Sequence, residues 1–322
     1  MTAIDTPTIL LILPYFGTLP SYSDLFFKSC GANPTVNWLF VTDQPLDTGR
    51  LPPNVALRRT TFASLKNSID AVLGFETALP SPYKLCDVRP AYGVIFADAI
   101  EGFDFWGHCD MDLVFGDIRR FLTPDILQAY TKVLIHGHLS LYRNRDDVNH
   151  YFELETPNVR FRDAVSDPRS LAFEEFMGMK VIFEHHGIPV FRNDAFLADI
   201  NQNVYRLITE SAPNARHQCF YWERGRVFRS FWEDGTCGRQ EYIYIHLQKR
   251  RMRPPPFDAT VADAWFIRPY DFVLKTSEPT TPREMDRMNP GHIVHDSKRH
   301  FFAALDRIRN TTSRMDRRST QR

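Results

Sequence analysis

The chain has no apolar run long enough to span a bilayer. The first, residues 9–13, has neither a basic lead-in nor a small-residue cleavage site. A membrane-spanning or secreted protein is not expected, and a cytoplasmic location is. Its five cysteines (Cys30, Cys86, Cys109, Cys219, Cys237) are odd in number, widely spaced and without a Cys-x-x-Cys pair. That pattern excludes a disulfide framework and a zinc knuckle. Neither charge sign is in excess, with 39 Lys plus Arg against 39 Asp plus Glu. A nucleic-acid binder held by a basic surface is excluded, so no nucleic-acid partner is expected. Internal repeats and low-complexity segments are also missing.

What is present is core-forming sequence. The 322 residues are 43% hydrophobic and 13% aromatic, enough for one large α/β domain or two small ones. The charge balance hides an asymmetry. Residues 297–322 carry eight basic side chains against Asp306 and Asp316, a net of +6 that leaves −6 on the rest.

Residues 8–14, 36–43 and 55–60 are short apolar runs that read as strands, and helical stretches over about 22–30 and 61–73 separate them. Such alternation implies parallel pairing in a doubly wound sheet, whose carboxyl edge is the active one. Further strands are expected over 103–109, 132–135 and 241–247, the last alternating Tyr242, Tyr244 and His246 against Ile243, Ile245 and Leu247. Three prolines at 254–256 then close the compact unit. The expected organisation is a domain over 1–255 and a Pro-rich, basic, partly helical C-terminal extension over 256–322.

The 103–109 strand stops at Asp110-Met111-Asp112, the chain's only Asp-x-Asp. Two aspartates there can hold Mg²⁺ or Mn²⁺, ions that complete their shells with substrate phosphates. A lone Asp-x-Asp is short enough to arise by chance. Its position at a strand end, with Asp117 following on a glycine turn, gives it weight.

At these residues the sequence resembles GT-A glycosyltransferases, and more specifically bacterial glycosyltransferase-like proteins associated with surface polysaccharide. The blocks that carry the resemblance are Leu13-Pro14-Tyr15-Phe16-Gly17 and residues 84–93, 106–118, 137–144 and 243–250. It implies a GT-A-like (Rossmann-like) αβα sandwich with a mixed, mostly parallel sheet. It also implies a nucleotide-sugar donor such as a UDP-sugar, and Mn²⁺ or Mg²⁺ bound through Asp110 and Asp112. His246 matches the further metal ligand such enzymes take from a C-terminal loop, with Lys249 and Arg250 near the diphosphate. Lys84, Asp87 and Arg89 correspond to contacts with base, ribose or phosphate, although a surface salt-bridge cluster fits them equally. Tyr15 and Phe16 could stack on the nucleobase or serve as core.

The acceptor, a glycan or lipid-linked hydroxyl, needs a carboxylate base if transfer inverts the anomeric centre. Glu174 and Glu175 interrupt an aromatic stretch and are the candidates, with Gly137, His138 and Arg143 lining the same cleft. His138 also reads as a structural histidine. The basic tail reads first as a helix docked on the domain, and second as a peripheral contact with an anionic membrane surface. Two rival functions remain. Asp110, Asp112 and Val114 also meet a haloacid-dehalogenase phosphatase pattern, with Asp146-Asp147 as a poor match to its later acidic pair. The other is a sugar-nucleotide-binding protein without turnover.

Overall fold

The computed structural model describes residues 6–211 and 213–291. The basic tail and both of its expected roles lie outside the described residues. Strand β1 (Ile9–Pro14) is followed by helix Ser23–Gly31, β2 (Val36–Thr42), β3 (Val55–Arg59) and helix Phe62–Leu73. The Thr61 side chain caps that helix by accepting from the Ser64 amide, and Gly74 ends it in a left-handed conformation at φ 73°. A 3₁₀ segment, Pro82–Ala91, then leads to β4 (Phe105–Cys109). Beyond Asp110-Met111-Asp112, β5 (Leu113–Phe115) leaves the main sheet.

Strands β6 (Lys132–His136), β7 (Leu139–Arg143) and β8 (Val190–Phe191) complete a seven-stranded sheet of order β3-β2-β1-β4-β7-β6-β8. Only β7 runs against the others. This is the mixed, mostly parallel α/β sandwich expected of a GT-A-like chain. Its two-sided burial follows from β1 itself: Ile9, Leu11 and Leu13 enter one core, while Leu10 and Ile12 enter the other. A strand buried on both faces must be apolar at every position. Gly107 in β4 has its own reason, since a Cβ there would lie 2.2 Å from the Ser140 carbonyl oxygen of β7.

The remaining strands are β9 (Leu197–Asp199), β10 (His217–Glu223), β11 (Arg226–Glu233), β12 (Thr236–Tyr242), β13 (Tyr244–His246), β14 (Ala264–Ile267) and β15 (Phe272–Leu274). They form an antiparallel sheet, β12-β11-β10-β14-β15, and a small one, β5-β13-β9. The single strand expected over 241–247 is therefore two. Tyr242 pairs with Val227, whereas Tyr244 pairs with Phe115 and Leu197. Residues 242–247 are all buried, with Tyr242, Ile245 and Leu247 in one core and Ile243 and Tyr244 in another, so the alternation marks no solvent face. The boundary expected near 255 falls inside the antiparallel sheet, because β14 pairs with β10 and helix Pro282–Met288 buries Met285 beside Tyr221 and Phe266. Among the described residues no helix is long and apolar enough to cross a membrane.

Candidate functional site

A cavity of about 960 Å³ opens where β1, β4 and β6 end, the carboxyl edge at which ligands of open α/β sheets bind. Tyr15, Phe16, Arg89, Asp110, Asp112, Gly137, His138, Glu174, Glu175, His246, Lys249 and Arg250 all line it. Backbone pairing sets its floor. The Asp110 amide donates to the His138 carbonyl at 3.1 Å, and the Leu247 amide donates to the Asp112 carbonyl at 2.9 Å. Residues far apart in sequence are thereby held around one point.

That point is a cluster of Asp110, Asp112 and His246, whose ligand atoms lie within 4.8 Å of one another. His246 Nε2 is 3.2 Å from Asp112 Oδ1, and its Nδ1 is 2.8 Å from Asp199 Oδ1. Burial works against charge on this imidazole, yet Asp112 and Asp199 hold its pKa up to about 10. Burial also raises Asp112, with Asp110 adding to the rise and His246 opposing it. Those two shifts pull the pair in opposite directions. The imidazolium is the firmer, because carboxylates face both its nitrogens. Two oxygen donors and one nitrogen donor suit a divalent ion, and a carboxylate on the far ring nitrogen is the usual orienting partner of a metal-bound histidine.

Arg89 holds the other aspartate. Its Nη2 donates to Asp110 Oδ1 at 2.5 Å and its Nη1 to the Gly137 carbonyl at 2.6 Å, with Glu174 Oε1 4.0 Å away. Burial alone would lower the guanidinium pKa, but Asp110 and Glu174 raise it above its ordinary value. Glu174 is 7% exposed, and its Oε2 has no hydrogen-bond partner among the described residues. Burial pushes its pKa up to about 7 against the pull of Arg89. Glu175 differs, because the Gly137 amide donates to its Oε1.

His138 stacks between His136 and His246 at ring distances of 4.9 and 4.4 Å. Burial, then the neighbouring His246, drive its pKa well below the ordinary value, while burial keeps the Tyr244 phenol protonated. Tyr244 Oη and His138 Nδ1 share a hydrogen bond at 2.7 Å, and His138 Nε2 lies 3.9 Å from Asp199 Oδ2. Two non-glycine residues at positive φ, Leu134 (60°) and Gln248 (54°), flank this stack. Leu134 lies in a bulge of β6 that re-aims His136, and Gln248 Nε2 of the side chain donates to Asp199 Oδ1 at 2.8 Å.

Some expected site residues do other work. Lys84 and Asp87 do not line the cavity; they form a 2.6 Å ion pair with exposures of 2% and 0%. Lys84 also donates to the Ala164 and Arg169 carbonyls, and Asp87 accepts from the Leu171 and Phe173 amides. Arg143, expected on the acceptor side, pairs with Phe105 at the start of β4 and donates to the Leu127 and Gln128 carbonyls at the end of helix Pro124–Ala129. It sits at the opposite edge of the sheet. Arg250 reaches the cavity wall, but its guanidinium donates to the carbonyls of Asn201, Val204 and Tyr205. Lys249 remains exposed, 5.4 Å from the Tyr83 ring. Tyr15 donates to the Thr18 carbonyl, and Phe16 packs edge-on against Phe62. Asp146-Asp147, the phosphatase pattern's weak second pair, follows Arg143 at that opposite edge, where Asp147 pairs with Arg145.

The residue that sequence reasoning missed is Asp199. Its one signal was an acid ending the short apolar pair Leu197-Ala198, the same signature as Asp110 after Cys109 on a strand of only three residues.

An α/β sandwich with carboxylates and a histidine gathered at its carboxyl edge defines the class. Residues 11–276 match a family of unknown function, DUF6625, and the chain belongs to it. No curated protein matches the chain. Among solved structures it is similar to mouse xyloside xylosyltransferase 1 in its apo form, at 9% identity and a TM-score of 0.37. That match covers 61% of this chain and 88% of the other.

Proposed function

We propose that this protein is a metal-dependent glycosyltransferase, moving a sugar from a nucleotide diphosphate, with a UDP-sugar the first choice, to a hydroxyl of a glycan or lipid-linked acceptor. The observation that carries the reading is the Asp110, Asp112 and His246 cluster on the floor of a 960 Å³ cavity. Asp110, Asp112 and His246 would hold the divalent ion, with the imidazole nitrogen favouring Mn²⁺ over Mg²⁺. Bound there, the ion would neutralise charge on the leaving diphosphate. Asp199 orients His246, and Arg89 fixes Asp110 through a 2.5 Å bond.

Lys249 adds an exposed positive charge at the cavity wall for the phosphates. Glu174 is the better of the two candidate bases. With a pKa near 7 and a free Oε2 it can take the acceptor hydroxyl proton, whereas Glu175 is engaged by the Gly137 amide.

A thermal-shift screen of nucleotide sugars with and without Mn²⁺, followed by isothermal titration of the best ligand into wild type and Asp112→Asn, tests the reading. Metal-dependent binding that vanishes in the variant is expected. Unchanged metal-dependent affinity in the variant rejects it, and binding without any transfer or donor hydrolysis would favour a non-catalytic nucleotide-sugar binder.

A further inference from the structure

Beside the main cavity lies a second one, of about 400 Å³, lined by Tyr205, Arg251, Arg253, Arg268, Tyr270 and Asp271 among others. Arg251 lines both. The local sequence explains why two arginines meet there. Residues 251–253 alternate as an extended segment does, with Met252 buried in the core of the antiparallel sheet and Arg251 and Arg253 both exposed on the other side. The Met252 carbonyl accepts from the Ser21 hydroxyl at 2.7 Å, the Arg253 amide donates to the Tyr270 carbonyl at 2.7 Å, and three prolines stiffen the backbone just beyond.

Neither the Arg251 nor the Arg253 side chain hydrogen-bonds or ion-pairs with any described residue, whereas Arg268 is matched by Asp271 at 2.9 Å. The tilted rings of Tyr205 and Tyr270, 5.3 Å apart, form a wall. Two uncompensated guanidiniums lining one concave space repel each other, and a multivalent oxyanion between them removes that repulsion while using their forked donors.

We propose that Arg251, Arg253 and Arg268 form an anion pocket that takes a phosphate or pyrophosphate group carried by the acceptor. This rests on the glycosyltransferase reading, because the shared Arg251 wall sets the pocket next to the cavity where transfer would occur. The acceptor's phosphate docks in the arginine pocket while its hydroxyl reaches toward Glu174, so the acceptor is a phosphorylated one, either a soluble sugar phosphate or a phosphate-linked lipid.

Inorganic pyrophosphate is titrated into the full chain by calorimetry in excess EDTA, which removes any metal–diphosphate contribution at Asp110 and Asp112. Binding is expected, with affinity at least tenfold weaker in Arg253→Glu, while UDP–Mn²⁺ affinity and melting temperature match wild type. No binding, or equal binding by wild type and Arg253→Glu, overturns the pocket. Pyrophosphate binding that depends on Arg253 in a protein with no UDP–Mn²⁺ affinity keeps the pocket but overturns its assignment to an acceptor.

Two competition arms separate the sources. Displacement by glucose 1-phosphate supports a soluble acceptor, and Arg253-dependent capture on vesicles containing phosphatidic acid, but not on phosphatidylcholine alone, supports a lipid-borne one.

Discussion

The two ends of the central sheet are built from the same residue types and do opposite things with them. At the end where β1 and β4 begin, charges are matched locally. Asp104 accepts from the Thr8 amide and hydroxyl at 2.7 and 2.9 Å, Arg145 pairs with Asp147, and Arg143 closes the end of a helix. At the end where those strands finish, three aspartates crowd one histidine, and a glutamate stands buried with an unpartnered oxygen. Stability alone gives no reason to collect like charges and leave an acceptor unsatisfied in a cavity. Polar residues at the first end are framework, and on the proposed function those at the second await a ligand.

The largest effect that would break this contrast is at Asp112. Asp112→Asn is expected to eliminate Mn²⁺-dependent UDP binding in titration calorimetry while leaving the circular dichroism spectrum unchanged, and a retained signal would make the carboxyl end framework too. Next is Glu174. Because its folded pKa is raised to about 7 and a base must be deprotonated, transfer should rise with pH through about 7. In Glu174→Gln that limb should vanish and the rate fall by roughly 10²–10⁴-fold; a pH–rate profile reads both.

Asp199→Ala should weaken metal affinity by about 10–100-fold through loss of the contact that orients His246, measured by Mn²⁺ titration. The smallest effect on binding, effectively none, belongs to Arg143→Ala. It uncaps two helix-end carbonyls and should cost about 1–3 kcal/mol in urea unfolding. A drop in UDP affinity from that variant would erase the distinction between the two ends.

Strands β1, β2 and β4 were legible because two-sided burial requires largely apolar runs, and Asp110 was legible because one of those runs stops at it. His246 and Glu174 were singled out by position along the chain, and both line the cavity. The charged residues that the structure finds engaged elsewhere share a cause. Lys84, Asp87, Arg143 and Arg250 are charged residues that tertiary contacts occupy with backbone groups, and composition cannot distinguish such a residue from one awaiting a ligand. The break between β12 and β13 was invisible for a related reason. Alternating aromatic and aliphatic residues look like one strand whether they face one core or pass between two.

The Lys84–Asp87 pair does not itself line the cavity, yet it works as a gauge block. One member lies five residues before Arg89, and the other holds the amide of Phe173, the residue just before Glu174. The span between the Asp110 side of the cleft and the Glu174 side is therefore machined into the fold before any ligand arrives. A cleft set in that way asks little ordering of itself on binding, and its two jaws would resist being re-spaced by changes confined to their own surfaces.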